Sequence, residues 1–195
     1  MLKRLLFTGC VAALLNACGI KESVRSGSDL QADAASSVLV LGVRPNYRIH
    51  LLRGKIVDHT WVRPIIDTPE VNIFPGVEGY VVVKVKPTTD AEKLGVSLIF
   101  PNGLPYGPCA NYKNPVFTLR PGTVTYVGDI DYELVGDELR FTTSLDAKRA
   151  RTYLASKYPT MGPFEVHPMD VMNVDSGLCR QTRTTIPVFI PSIRR

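Results

Sequence analysis

From residue 37 onward most of the chain alternates apolar and polar positions with a period of two, the repeat of a strand buried on one face. Residues 37–43 form a first, nearly continuous apolar run. Residues 47–52 and 55–62 predict a hairpin turning at Arg53-Gly54. In that register Ile49, Leu51 and Ile56 share one face, while Arg48, His50, Lys55, His59 and Trp61 share the other. Residues 80–86 place Val81, Val83 and Val85 on a buried side, and residues 96–100 run into the turn Pro101-Asn102-Gly103. The most specific expectation is a hairpin over residues 123–142 with Gly136-Asp137 as its two-residue loop. It sets Leu134 opposite Leu139, Tyr132 opposite Phe141 and Glu133 opposite Arg140. A slip of one residue would undo all three pairings at once.

One helix is expected, over residues 145–158. Ser144 is placed to cap it, and Asp146, Ala150, Leu154 and Tyr158 recur every fourth position along one face. Lys157 suits the negative end of its dipole, and Pro159 stops it. Residues 185–190 read as a last strand, and Pro187 within it suits a sheet edge. The pattern is therefore seven or eight short strands and one short helix. The 15 Gly and 15 Pro fall mainly between the strands, where the chain must turn. No long helices lie between the strands to support a parallel βαβ sheet. The expected fold is all-β: a single antiparallel β-sandwich of the immunoglobulin-like or transthyretin-like kind, with one short helix.

The first residues have a different character. Lys3 and Arg4 precede an apolar run over residues 5–15, which is far short of the roughly 20 residues needed to span a bilayer. A basic flank and a short apolar core fit a secretory signal. The run ends Leu15-Asn16-Ala17-Cys18, which resembles the lipobox of bacterial lipoproteins. The resemblance implies removal of residues 1–17, lipid on Cys18, and attachment to a membrane through several acyl chains. Gly19 after the cysteine, in place of Asp, implies the outer membrane, at its periplasmic face. Residues 18–36 are polar, lack apolar periodicity and read as a flexible tether, leaving residues 37–195 as the domain. Two further stretches resemble uncharacterised proteobacterial envelope lipoproteins: Phe117-Thr118-Leu119-Arg120-Pro121-Gly122 leading to Tyr126-Val127-Gly128-Asp129-Ile130, and the helix pattern ending Tyr158-Pro159. That resemblance implies no activity.

Composition then narrows the chemistry. An apolar fraction of 45% is enough for a core. The net charge of +5 falls to +3 without Lys3 and Arg4, and no run of like charges suggests a nucleic-acid arm. With Cys10 in the signal and Cys18 lipidated, Cys109 and Cys179 are left to form a disulfide in an oxidising compartment. Metalloprotease, phosphate-loop and hydrolase motifs are absent, and neither a metal nor a cofactor is expected. His50 and His59 lie among cations, which disfavours a metal, and the stripe Asp129, Asp131 and Glu133 reads as solvated and paired with Arg140. Arg48, His50, Lys55, His59, Trp61 and Arg63 form a candidate basic, aromatic patch for docking a partner. The expected function is non-catalytic: protein contacts in envelope or secretion-machine assembly. The alternative is an inhibitor or immunity lipoprotein that presents residues 101–114 as a protruding loop.

Overall fold

The computed structural model describes residues 23–64 and 68–175. Eleven strands and one helix follow one another as β1 (Ser37–Arg44), β2 (Arg48–Val57), β3 (Thr60–Val62), β4 (Val71–Ile73), β5 (Tyr80–Val85), β6 (Glu92–Phe100), β7 (Lys113–Phe117), β8 (Val124–Val135), β9 (Glu138–Ser144), α1 (Ala147–Lys157), β10 (Phe164–Val166) and β11 (Asp170–Val174). The expected mostly-β chain with one helix is present. Its arrangement is not the expected antiparallel sandwich.

One sheet runs β10-β8-β1-β5, with β9 also on β8, and both β1 and β10 lie parallel to β8. The other runs β3-β11-β7-β6-β2-β4, and β3 pairs back onto β2. Strands β2, β3, β11, β7 and β6 thereby close a five-stranded ring, in which β3 and β11 are parallel. The sheets are thus mixed, and one is partly closed into a small barrel.

The apolar residues sort into three layers. Leu39, Leu41, Val81, Val83 and Val127 of the first sheet meet Ile49, Leu51, Leu94, Val96 and Phe117 of the second in the main core. The opposite face of the first sheet, with Val38, Val40, Tyr80, Val82 and Tyr126, is covered by Ala150, Leu154 and Tyr158 of the helical segment. The third cluster fills the ring: Leu52, Trp61, Val116 and Val174, with Ile56 and Met172 against them.

Trp61 explains two glycines. A Cβ on Gly54 would lie 2.5 Å from the indole Nε1, and one on Gly95 2.7 Å from Cε2 and Cζ2. The ring closes around Trp61 because β2 and β6 each omit a side chain there.

The expected turn at Arg53-Gly54 is therefore corrected. Both residues lie inside β2, and the hairpin turns at Asp58 and His59, at φ 47° and 59°. Ile56 faces Trp61 and Lys55 faces Val62 across it. Asp and His tolerate the left-handed region less well than Gly, so local turn statistics favoured the wrong pair. The β8–β9 hairpin, by contrast, has the expected register at Tyr132–Phe141, Glu133–Arg140 and Leu134–Leu139, with Gly136 at φ 60° in the loop.

The helix lies where expected, with Ala150 and Leu154 fully buried. Its cap is corrected from Ser144, which ends β9, to Asp146, whose side chain accepts from the Arg149 backbone N–H at 2.9 Å.

The tether is also corrected from residue 23 onward. Val24 N donates to Val82 O at 2.9 Å, Gly27 N to Lys157 O at 2.7 Å, and Leu30, fully buried, exchanges backbone hydrogen bonds with residues 160 and 162. Residues 23–36 are a strap docked by backbone hydrogen bonds and by Val24, Leu30 and Ala32, apolar residues too widely spaced to show a period. Cys18, Cys179 and the expected strand at residues 185–190 lie outside the described residues.

Candidate functional site

The β8–β9 hairpin extends past the end of β1, and the connection between β6 and β7 folds back toward it. Between them lies a cleft of about 700 Å³, open on one side. That is the size of ordinary ligand sites. Leu139, Phe141 and Tyr132 come from the hairpin, Val96 and Ile99 from β6, and Tyr106 and Tyr112 from the connection.

The connection is held as a wall. Tyr106 and Ile99 exchange two backbone hydrogen bonds at 2.8 Å, Asn111 N donates to Val174 O at 2.8 Å, and Val174 N to Tyr112 O at 3.1 Å. Residues 106–112 are therefore tied to β6 and β11, while residues 102–104 at the turn are exposed. Cys109 sits in this wall.

Two properties make the cleft more than a packing defect. Tyr132 is 8% exposed, and its hydroxyl has no hydrogen-bond partner. Burial pushes its pKa well above the ordinary phenol value, so it stays a neutral donor. An unsatisfied buried hydroxyl costs about 1–3 kcal/mol, so this wall carries its polar group at a cost in stability. The lining also carries Lys113, Arg140 and Glu138; Glu138 holds Arg140 at 3.1 Å, Glu133 stands opposite Arg140 across the hairpin, and the exposed Lys113 lies on the facing wall. Tyr112, 66% exposed, and the half-exposed Leu134 and Val135 lie on the two walls' outer parts.

A second polar cluster fastens α1 to the first sheet. Asp129 is 1% exposed and takes Arg149 Nη2 at 2.7 Å on Oδ2. Arg149 Nε donates to Tyr80 Oη at 3.0 Å, and the Tyr126 hydroxyl accepts from Asp146 N at 3.1 Å. Burial raises the Asp129 pKa above the usual carboxylate value, against the pull of Arg149. Asp131 is paired with Arg44 at 2.6 Å, which lowers its pKa. The expected solvated stripe is thus corrected: Asp129 is buried, both aspartates pair with arginines from other elements, and Arg140 pairs with Glu138. The contacts of Asp129 tie helix to sheet.

The basic, aromatic patch is not assembled as expected. Trp61 is fully buried inside the ring, where its Nε1 donates to Lys93 O at 3.2 Å. Arg48 and His50 are half-buried beside Phe100: the guanidinium lies 5.1 Å from its ring centre, and the imidazole centre 4.6 Å away. Lys55 and His59 are exposed, His59 in the β2–β3 turn, and Arg63 is half-buried beyond β3, its guanidinium near the backbone of residue 107. The misplaced turn had put these six on one face. Among the described residues no three His, Cys, Asp or Glu side chains gather as a metal set.

Sequence reasoning missed the cleft because its walls are far apart in the chain. The one local signal was the aromatic pair Tyr132 and Phe141 on a hairpin whose neighbour could not be named. No family model, curated protein or solved structure matches the chain.

Proposed function

We propose that the chain is a lipid-anchored, non-catalytic protein of the bacterial envelope, attached to the periplasmic face of the outer membrane, that works by binding a protein partner in the cleft. The observation that carries the binding half is the cleft itself, built on paired strands around a buried Tyr132 hydroxyl that lacks a partner. The lipobox-like Leu15-Asn16-Ala17-Cys18 carries the anchoring half.

The docked strap sharpens the picture. Cys18 lies five residues before Ser23, and a chain spans at most about 3.5 Å per residue, so the domain would be held within roughly 18 Å of the lipid. Such a protein serves a partner at the membrane surface, as in envelope or secretion-machine assembly. The inhibitor reading would use residues 101–114 as a protruding loop; backbone bonds at Tyr106, Asn111 and Tyr112 hold that segment against β6 and β11, which favours its use as a wall of the cleft.

Two measurements test the halves separately. Radiolabelled palmitate should enter the wild-type protein and not Cys18→Ala; equal labelling refutes the anchor. A photo-crosslinking residue at Tyr112, beside the cleft, should give a discrete adduct in cells, while one at Lys148, on α1, should not. Equal adducts at both sites, or none with the protein at normal level, refute the cleft as the partner site.

A further inference from the structure

β9 is hydrogen-bonded to β8 along one side, and among the described residues no strand pairs with its other side. Its Leu139 and Phe141 line the cleft, so among the described residues an unused sheet edge and an open apolar space lie next to each other. Edge strands are commonly protected by prolines, charges or bulges. Beyond Arg140 the rest of β9 is Phe141-Thr142-Thr143-Ser144, with no charge and no proline.

Resting on the reading of the cleft as the partner site, we propose that it takes an extended segment of the partner protein, added as a strand beside β9. The backbone of such a segment meets the unpaired groups of β9. Its alternate side chains, i and i+2, fall on one side of the extended sheet, toward the cleft. Lys113, exposed on the wall facing β9, favours a segment bearing an Asp or Glu beside it.

The probe is a random nonamer phage library panned on the mature full chain. Enriched peptides should alternate apolar residues and carry an acidic one. As free peptides they should slow amide exchange at Glu138–Ser144 and bind Lys113→Gln about two- to five-fold more weakly, the loss of one exposed charge pair, while Tyr132→Phe, whose hydroxyl is buried away from the cleft, binds them unchanged. Tyr132→Phe should melt no lower than wild type, because only an unpartnered hydroxyl is removed. The proposal is overturned by no enrichment relative to Phe141→Asp panned in parallel, by enriched peptides without alternation, or by binding that leaves the β9 amides unprotected. It is also overturned if β9 in the unliganded chain is protected in a concentration-dependent way, since a second copy then fills the edge. Deletion of residues 180–195 that newly exposes the β9 amides overturns it as well, with the chain's own tail as occupant. If the library fails while the Tyr112 adduct persists, strand addition is lost and the cleft remains the partner site; the reverse result removes the cellular role alone.

Discussion

The Gly95→Ala variant adds one methyl group inside a ring that is already full. Its Cβ would lie 2.7 Å from Trp61 Cε2 and Cζ2 and 3.1 Å from Val116 Cγ1. Carbon atoms pack best at about 3.5–4.0 Å, so the indole must retreat by roughly 1 Å. It has little room, being fully buried among β2, β3, β6, β7 and β11 with Nε1 bonded to Lys93 O. Overpacking of this kind costs about 1–3 kcal/mol. For a domain of this size that lowers Tm by roughly 2–12 °C. Trp61 is the only tryptophan, so its fluorescence during denaturation reports the ring directly. The decisive measurement is a double-mutant cycle with Trp61→Phe, which alone leaves a void. The pair should be more stable than the sum of the two losses by about 0.5–3 kcal/mol, because the methyl occupies space the indole gave up. Gly54→Ala is the control. Its Cβ would also lie 2.6 Å from the Val62 carbonyl oxygen, which is backbone, so Trp61→Phe should rescue it less. A Gly95→Ala protein with wild-type Tm, or strict additivity with Trp61→Phe, would refute the closed ring around Trp61.

Three further variants address other contacts. Asp129 holds its proton more tightly folded than unfolded, so its favourable contribution is present below the ordinary carboxylate pKa and lost as pH rises through the raised folded value. The Tm of Asp129→Asn relative to wild type should therefore climb from pH 3.5 to pH 7; a gap that stays flat or shrinks counts against burial as the dominant cause. His59→Gly should stabilise by about 0.5 kcal/mol because residue 59 occupies the left-handed region. A turn at Arg53-Gly54 would put residue 59 inside a strand, where glycine costs about 0.5–1 kcal/mol, so urea midpoints decide by sign. Asp146→Ala should cost about 1 kcal/mol as the loss of the helix cap, with Ser144→Ala close to neutral. Reversed losses would restore Ser144 as the cap. Thiol labelling of the unreduced mature protein should find neither Cys109 nor Cys179 reactive, and two reactive thiols would refute their pairing.

Legibility followed distance along the chain. The β8–β9 register and the buried face of α1 were readable because every group that decides them lies within about twenty residues. Gly136 supplies the left-handed turn, apolar partners face each other across it, and Ala150 and Leu154 recur at the helical period. The turn of the β2–β3 hairpin was misread because Gly54 looked like a turn residue. Its real role is to make room for an indole held by strands outside the hairpin. The basic, aromatic patch failed for two reasons: the shifted turn moves Lys55 to the opposite face, and the face that Trp61 shares with Arg48 and His50 is closed over by β6, β7 and β11 as the ring interior.

The sequence by itself determined a mostly-β domain with one helix and one hairpin in correct register, together with the lipobox-like motif that suggests an address. Alternation, turn chemistry and helix periodicity are local, and they suffice for that much. Only the tertiary structure decided that β1 lies parallel to β8, with Arg44 meeting Asp131 from 87 residues away, and that β3 and β11 close the ring. It alone placed the strap on the helix and the 101–112 connection opposite the β8–β9 hairpin. The physical reason is that these arrangements are selected by which apolar faces and backbone edges can be satisfied together. A strand's own pattern states that it has a face to bury, and leaves open which distant strand will bury it.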